Sequence, residues 1–232
     1  MKILEENIIY EDNHLIAINK QVGQLVQGDI TGDACLADAL KDYLKKKYNK
    51  HGNVFVGVTH RLDRPVSGIV LFAKTGKALS RVNALFRDKK VNKYYLAIVK
   101  AAPPYTKASL KDYLIRDSKR NMSFVCNKNR ENAKEAILDY ELIAQSDNYY
   151  LLKVKLHTGR HHQIRVQLAN IGSPIKGDLK YSFPRSNPDG GISLHAYKLE
   201  FVHPVKNESI CLKASLPKDK LWQAFSNLIE DI

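Results

Sequence analysis

Strand-like segments follow one another along this chain with few helices between them, and that order limits the fold more than any other feature. Residues 7–19 carry two short strands around a polar turn at Glu11-Asp12-Asn13. Residues 54–58 and 68–73 are apolar enough to be buried strands, and further strand patterns lie at 93–99, 108–115, 122–126, 136–144, 149–156, 193–202 and 210–216. Helical spacing marks 36–48, where Leu36, Leu40, Tyr43 and Leu44 share a face. There Lys45, Lys46 and Lys47 supply cations at the negative end of the helix dipole. A second helix is expected over 76–87, with Leu79, Val82 and Phe86 in phase, and two more around 161–171 and 218–229. Parallel strands need crossover connections, usually helices. With so few helices the sheet is expected to be antiparallel or mixed, and the class α+β rather than doubly wound α/β. The segment 182–191 is the best candidate for an exposed loop.

Thirty-seven Lys and Arg against 24 Asp and Glu leave a net charge of +13. That balance says little about fold, but it suits phosphate backbones or anionic membranes as partners. A spanning helix needs about 20 apolar residues, and the longest strongly apolar run, 69–73, falls far short. The opening M-K-I-L-E-E-N meets acids before a signal-peptide core can form. Cys35, Cys126 and Cys211 are scattered with no C-x-x-C pair, which argues against a disulfide framework or a cysteine zinc site. The expectation is a cytoplasmic, reduced chain with no membrane partner.

Residues 60–68 read H-R-L-D-R-P-V-S-G. Pro65 fixes its own φ and disfavours helix at Arg64, while Gly68 permits a sharp re-entry into the next strand. The loop is therefore stiff, and Asp63 sits in it between Arg61 and Arg64, cations that favour an ionised carboxylate. Composition alone also fits a hairpin turn whose Asp merely bonds local amides.

The stretch H-R-L-D-R-P-V-S-G-I-V-L-F-A-K closely resembles the signature of RluA-type RNA pseudouridine synthases, H-R-L-D-x-x-T-S-G followed by an apolar run and A-K. Four other segments resemble that family in its own order. They are E-D-N-H-L-I-A-I-N-K-Q-V-G at 11–23, K-Y-Y-L-A-I-V at 93–99, L-H-T-G-R-H-H-Q-I-R at 156–165 with the loop after it, and L-H-A-Y-K-L-E-F-V-H-P at 194–204. The ordered set covers about 7–217. Three departures stand out: Val66 where Thr is usual, Gln21 where Pro follows Lys20, and Gln167 where His is usual.

The resemblance implies a pseudouridine synthase fold with a central RNA-binding cleft, and a single catalytic domain over 1–232. It implies isomerisation of uridine in tRNA or large-subunit rRNA, without cofactor or metal. Asp63 would be the catalytic carboxylate, acting as nucleophile at the anomeric carbon or as a base that yields a glycal. Arg165 would be its ionic partner, placed by helical spacing at the edge of a face formed by Ile164, Leu168 and Ile171; by spacing alone it equally suits a snorkelling surface Arg. Tyr95 would pack on the target base. Alternation puts it with Lys93, opposite Tyr94, Leu96 and Ile98. Without the motif it would be a cross-strand or core tyrosine.

Arg61, Arg64, Lys93, Arg160 and His162 are the candidate grips on phosphate or on a nucleotide that must leave its stack. His60 reads as structural. His157, His161 and His162 lack the companions of a zinc site. Many relatives carry a small S4 RNA-binding domain ahead of the core; here the first motif begins near residue 7, so the core is expected to bind RNA alone, as a monomer. Lys45, Lys46, Lys47, Lys89, Lys90, Lys93, Lys128 and Arg130 are candidate phosphate contacts, each run equally suited to a merely solvated surface. Two other readings compete: a non-catalytic RNA-binding or assembly factor on the same fold, and a metal-dependent nuclease. Retained Asp63, Tyr95 and Arg165 weigh against the first, and the lack of clustered carboxylates against the second.

Overall fold

The computed structural model describes Ile3 and residues 5–229. It divides into two compact units, the first running to Val91 and taking in Tyr197–Ser215, the second holding Asn92–Ala196 and the chain from Leu216. Strand follows strand as expected, with four α-helices among the described residues.

In the first unit β1 (Ile8–Glu11) and β2 (Leu15–Lys20) form an antiparallel hairpin. Its turn is set by Asp12, whose Oδ1 accepts from the His14 and Leu15 amides at 2.8 Å each. β2 pairs antiparallel with β4 (Ser67–Ala73), from Leu15 opposite Ala73 to Lys20 opposite Gly68. Every residue of β4 is buried, which explains its unbroken apolar run. Odd-numbered residues of both strands (Leu15, Ala17, Ile69, Leu71, Ala73) pack with Ala78 and Val82 of α2 (Gly76–Arg87) and with Leu199, Phe201 and Leu212. Thr75 caps α2 by accepting from Ala78 N at 3.1 Å. α1 (Leu36–Lys47) buries Leu36, Leu40 and Leu44 along one face.

The expected strand at 54–58 shrinks to β3, Gly57–Val58, paired with Ala73 and Phe72 of β4. Beyond it, side chains satisfy the β4 edge. Thr59 Oγ1 donates to Leu71 O at 2.7 Å, and His60 Nε2 accepts from Leu71 N at 3.1 Å. His60 is thus a structural ring, as its sequence position suggests.

In the second unit β5 (Asn92–Val99), β6 (Lys107–Asp117), β7 (Met122–Cys126), β8 (Lys134–Gln145) and β9 (Tyr150–Leu156) pair antiparallel in the order β5-β9-β8-β6-β7. Register puts Tyr95, Val154 and Tyr140 side by side on one face, and Tyr94, Lys155 and Asp139 on the other. α3 (Gln163–Asn170) starts later than its spacing suggests because His162 is left-handed, at φ 54°. β10 (Leu194–Val202) runs from this unit into the first, where it pairs with β11 (Ser209–Lys213). The expected helix at 218–229 holds for α4 (Lys220–Ala224), capped by Asp219, and then tightens to a 3-10 turn at Ser226–Leu228. There the Ser226 hydroxyl donates to Gln223 O at 2.8 Å, one of the carbonyls at the helix end. Residues 182–191 form a largely exposed loop without regular structure.

Candidate active site

One buried lysine fastens the loop that carries Asp63. Lys20 ends β2 with no exposed surface. Its Nζ donates to the carbonyls of Val66 at 2.6 Å and of Arg64 and Gln21 at 3.1 Å each. Three acceptors match the three protons of an ammonium. Val66 N closes the turn onto Asp63 O at 3.0 Å, and Gly23 N bonds Arg64 O at 2.9 Å. Arg64 returns Nε to Gly23 O at 3.1 Å and pairs on the surface with Asp33 at 2.8 Å. Gly68, at φ 112°, turns the chain into β4 in a region closed to most side chains. Asp63 is half-buried here and Arg61 exposed. Val66, in place of the usual Thr, has its side chain buried, and the bonds that hold the loop run through its backbone. Gln21 is exposed and likewise contributes its carbonyl.

Burial pushes the Lys20 ammonium down to about 7, the Asp63 carboxylate acting against that shift and the Arg64 charge with it. Between about 7 and the ordinary 10.5 the unfolded chain keeps a proton that the folded chain releases. This group therefore makes stability rise with pH across that window. In urea unfolding at about pH 6 and about pH 9, the parent is expected to gain stability relative to Lys20→Met as pH rises. An identical pH response in both proteins would refute the burial of a charged Lys20.

In the second unit Tyr95 is 9% exposed on β5, opposite Val154. Lys93, two residues before it, is half-buried, and burial lowers its pKa. A methyl built at Gly159 would lie 3.5 Å from Lys93 Nζ, so the amine sits close against that backbone. The segment before α3 is tied down by Gln163, whose Oε1 accepts from Thr158 Oγ1 at 2.8 Å and Arg160 N at 3.0 Å, while its Nε2 donates to Ile137 O at 3.1 Å. Arg160 is exposed, with Nε on Glu135 O at 2.8 Å. His162 is buried; its Nδ1 lies 2.9 Å from the Tyr181 hydroxyl, and its ring stacks on His161 at 3.8 Å.

α3 is buried on all sides from Gln163 to Leu168, so Arg165 stands inside the unit rather than at the edge of an apolar face. Its Nε and Nη2 grip Asp178 at 2.7 and 2.8 Å, with the side chains 4% and 1% exposed. The guanidinium also lies 5.1 Å from the Tyr181 ring centre. Gln167, the other departure on this helix, is fully buried and donates to Asp112 at 2.7 Å. The structure thus brings Asp63 and Arg64 to Lys20 in the first unit, with Arg61 exposed on the same loop. In the second it sets Lys93 and Tyr95 on β5, with Arg160, His162 and Arg165 at α3. Lys20 and Asp178 were not singled out by sequence reasoning, although Lys20 stands in the 11–23 motif and Asp178 in the loop after the 156–165 motif. Among the described residues no group of three or more His, Cys, Asp or Glu side chains is arranged to hold a metal, and no helix is long and apolar enough to cross a membrane.

Residues 14–170 match the RNA pseudouridylate synthase family. The chain is 30% identical over 241 residues to tRNA pseudouridine synthase C of Vibrio parahaemolyticus, covering 96% of this chain and 94% of that protein. It is 35% identical over 218 residues to ribosomal large subunit pseudouridine synthase C of Rickettsia prowazekii, covering 93% of this chain and 70% of that one. In fold it is similar to human RNA pseudouridylate synthase domain containing 4, with a TM-score of 0.76 at 24% identity over 91% of this chain and 89% of the other. The α+β fold anticipated from strand order and motifs is therefore the fold found. A family match over most of its length, joined to a relative of nearly equal extent, establishes that the chain belongs to the RNA pseudouridylate synthase family.

Proposed function

We propose that the protein isomerises specific uridines in structured RNA, in tRNA, large-subunit rRNA or both, with Asp63 as the catalytic carboxylate and no cofactor or metal. The reaction breaks the bond from the anomeric carbon to N1 of uracil and joins that carbon to C5. The C5 proton is lost and N1 gains one, so no redox partner or group donor is required. A carboxylate serves either route, attacking the anomeric carbon or removing the neighbouring sugar proton. The observation that carries the reading is the Lys20 clamp, which fixes the Asp63 loop through two of its carbonyls, those of Arg64 and Val66. A carboxylate held in advance needs little reorganisation to reach the sugar.

In this reading Tyr95 packs on the target base and helps move its C5 proton, and Arg165, oriented by Asp178, is the ionic partner of Asp63. Arg61, Arg64, Lys93, Arg160 and His162 contact the RNA or the displaced nucleotide. The protein works as a cytoplasmic monomer. The relatives' names support both RNA classes. Mapping pseudouridines in tRNA and rRNA from cells lacking the protein tests this. Specific uridines should lose the modification and regain it when the purified protein is added to the extracted RNA. If none changes in either class, the assigned substrates are wrong.

A further inference from the structure

α1 ends in a surface feature that the proposed reaction does not use. Asn49, left-handed at φ 46°, closes the helix, with Asn49 N on Lys46 O at 3.3 Å and Lys50 N on Lys45 O at 2.9 Å. That closure folds Lys50 back beside Tyr48, a residue 47% exposed. The amines of Lys74, Lys50 and Lys47 lie 4.8, 5.7 and 5.8 Å from the ring centre. The ring is held in place by its hydroxyl, which donates to Glu11 Oε1 at 2.7 Å. Glu11 is the carboxylate bonded here. Its burial acts to raise its pKa, but hydrogen bonds from Lys47, Lys74 and Tyr48 outweigh that and hold it near 2. Lys47 and Lys74 thus bond one ionised glutamate and Lys50 joins them at the ring, while Lys45, Lys46, Lys47 and Lys50 are exposed at this end of the helix.

An oriented, half-exposed aromatic ring within a ring of ammonium groups suits an unpaired base flanked by phosphates, the base on the π face and its backbone on the cations. Acidic proteins would use the lysines but have no call for the fixed ring. The position adds to this. Tyr48 and Lys74 meet at Glu11, beside the Leu15–Ala73 end of the β2–β4 ladder, whereas the Asp63 loop is clamped at its Lys20–Gly68 end. From residue 15 to residue 20 a strand extends about 17 Å, roughly the rise of five base pairs of duplex. We infer that Tyr48 and the lysines around it form a second RNA contact, which stacks an unpaired base of the substrate remote from the target uridine and so favours structured RNA over short oligonucleotides. The inference rests on the RNA-modifying reading of the same unit.

The test compares the full-length parent with Tyr48→Ala, Tyr48→Phe and a Lys45→Ala/Lys46→Ala/Lys50→Ala variant; Lys47 and Lys74, which bond Glu11, are left intact. Filter binding is measured on unfractionated tRNA, a large-subunit rRNA transcript and a five-nucleotide RNA. Tyr48→Ala should weaken binding to the long RNAs about tenfold, Tyr48→Phe, which keeps the ring but loses its bond to Glu11, should weaken it by clearly less, and the five-nucleotide RNA should not distinguish them. The triple variant should lower the slope of log affinity against log salt by about 2 to 3. For Tyr48→Ala the loss should appear in KM rather than in kcat at saturating RNA, because this side chain lies outside the catalytic loop. Unchanged affinity for the long RNAs and an unchanged salt slope would overturn the proposal, as would equal losses on the short RNA, which a general folding defect would produce. If the parent binds through this patch but isomerises nothing, the contact stands and the enzymatic reading fails.

Discussion

Asp63→Asn is expected to reduce tritium release from RNA labelled at uridine C5 by at least about 10³-fold, the scale of losing a nucleophile or general base. RNA affinity should stay within a few fold of the parent, because phosphate contacts dominate affinity. The loop is expected to survive the change. Asn has the shape of Asp, the turn bond from Val66 reaches the backbone carbonyl of residue 63, and the Lys20 bonds reach other carbonyls. The substitution also removes a charge that raises the Lys20 pKa, so the pH at which stability begins to rise should move lower. A folded variant that loses RNA affinity together with turnover would make Asp63 a binding or scaffolding residue instead.

Arg165→Met is expected to have the largest effect on stability. The guanidinium and Asp178 form a bidentate pair with side chains 4% and 1% exposed. Removing one partner strands the other's charge in the interior, at a cost of about 3–5 kcal/mol. Arg165→Lys should recover little, since an ammonium cannot reproduce the planar fork. The double variant Arg165→Met/Asp178→Leu should recover much of the loss, because buried ion pairs replaced by apolar groups of similar size are often neutral. Urea unfolding of the three proteins gives the answer. If the double variant is as unstable as the single, the loss comes from packing and not from a stranded carboxylate. Activity separates a second role: a double variant that is stable but inactive fits Arg165 as the partner of Asp63, and one that is stable and fully active refutes it.

Most strands were legible because their burial leaves a pattern. β4 is covered throughout and reads as a continuous apolar run; β8 and β9 alternate and read as half-buried. The expectation at 54–58 overreached because apolar residues need not pair. Register puts Gly57 opposite Ala73, the last residue of β4, so residues 54–56 run past its end. The last helix was overextended because spacing does not register a competing Ser226 hydroxyl. At the site, Pro65 and Gly68 announced a stiff loop. The clamp itself joins Lys20 to carbonyls 44 and 46 residues away, and no local pattern encodes such a contact. Arg165 shows the same boundary: helical phase told which neighbours share its face, but not that tertiary packing buries the other faces or that Asp178 meets it 13 residues on. At His162 the fold adds the Tyr181 hydroxyl 2.9 Å from Nδ1, a neighbour 19 residues on that no local pattern announces.

The most direct measurement is tritium release from C5-labelled tRNA and large-subunit rRNA transcripts, with chelator present and strand integrity followed on gels. The account predicts release by the parent in step with pseudouridine formation, on intact RNA, and none by Asp63→Asn. Binding of both RNAs by the parent without any release would contradict it.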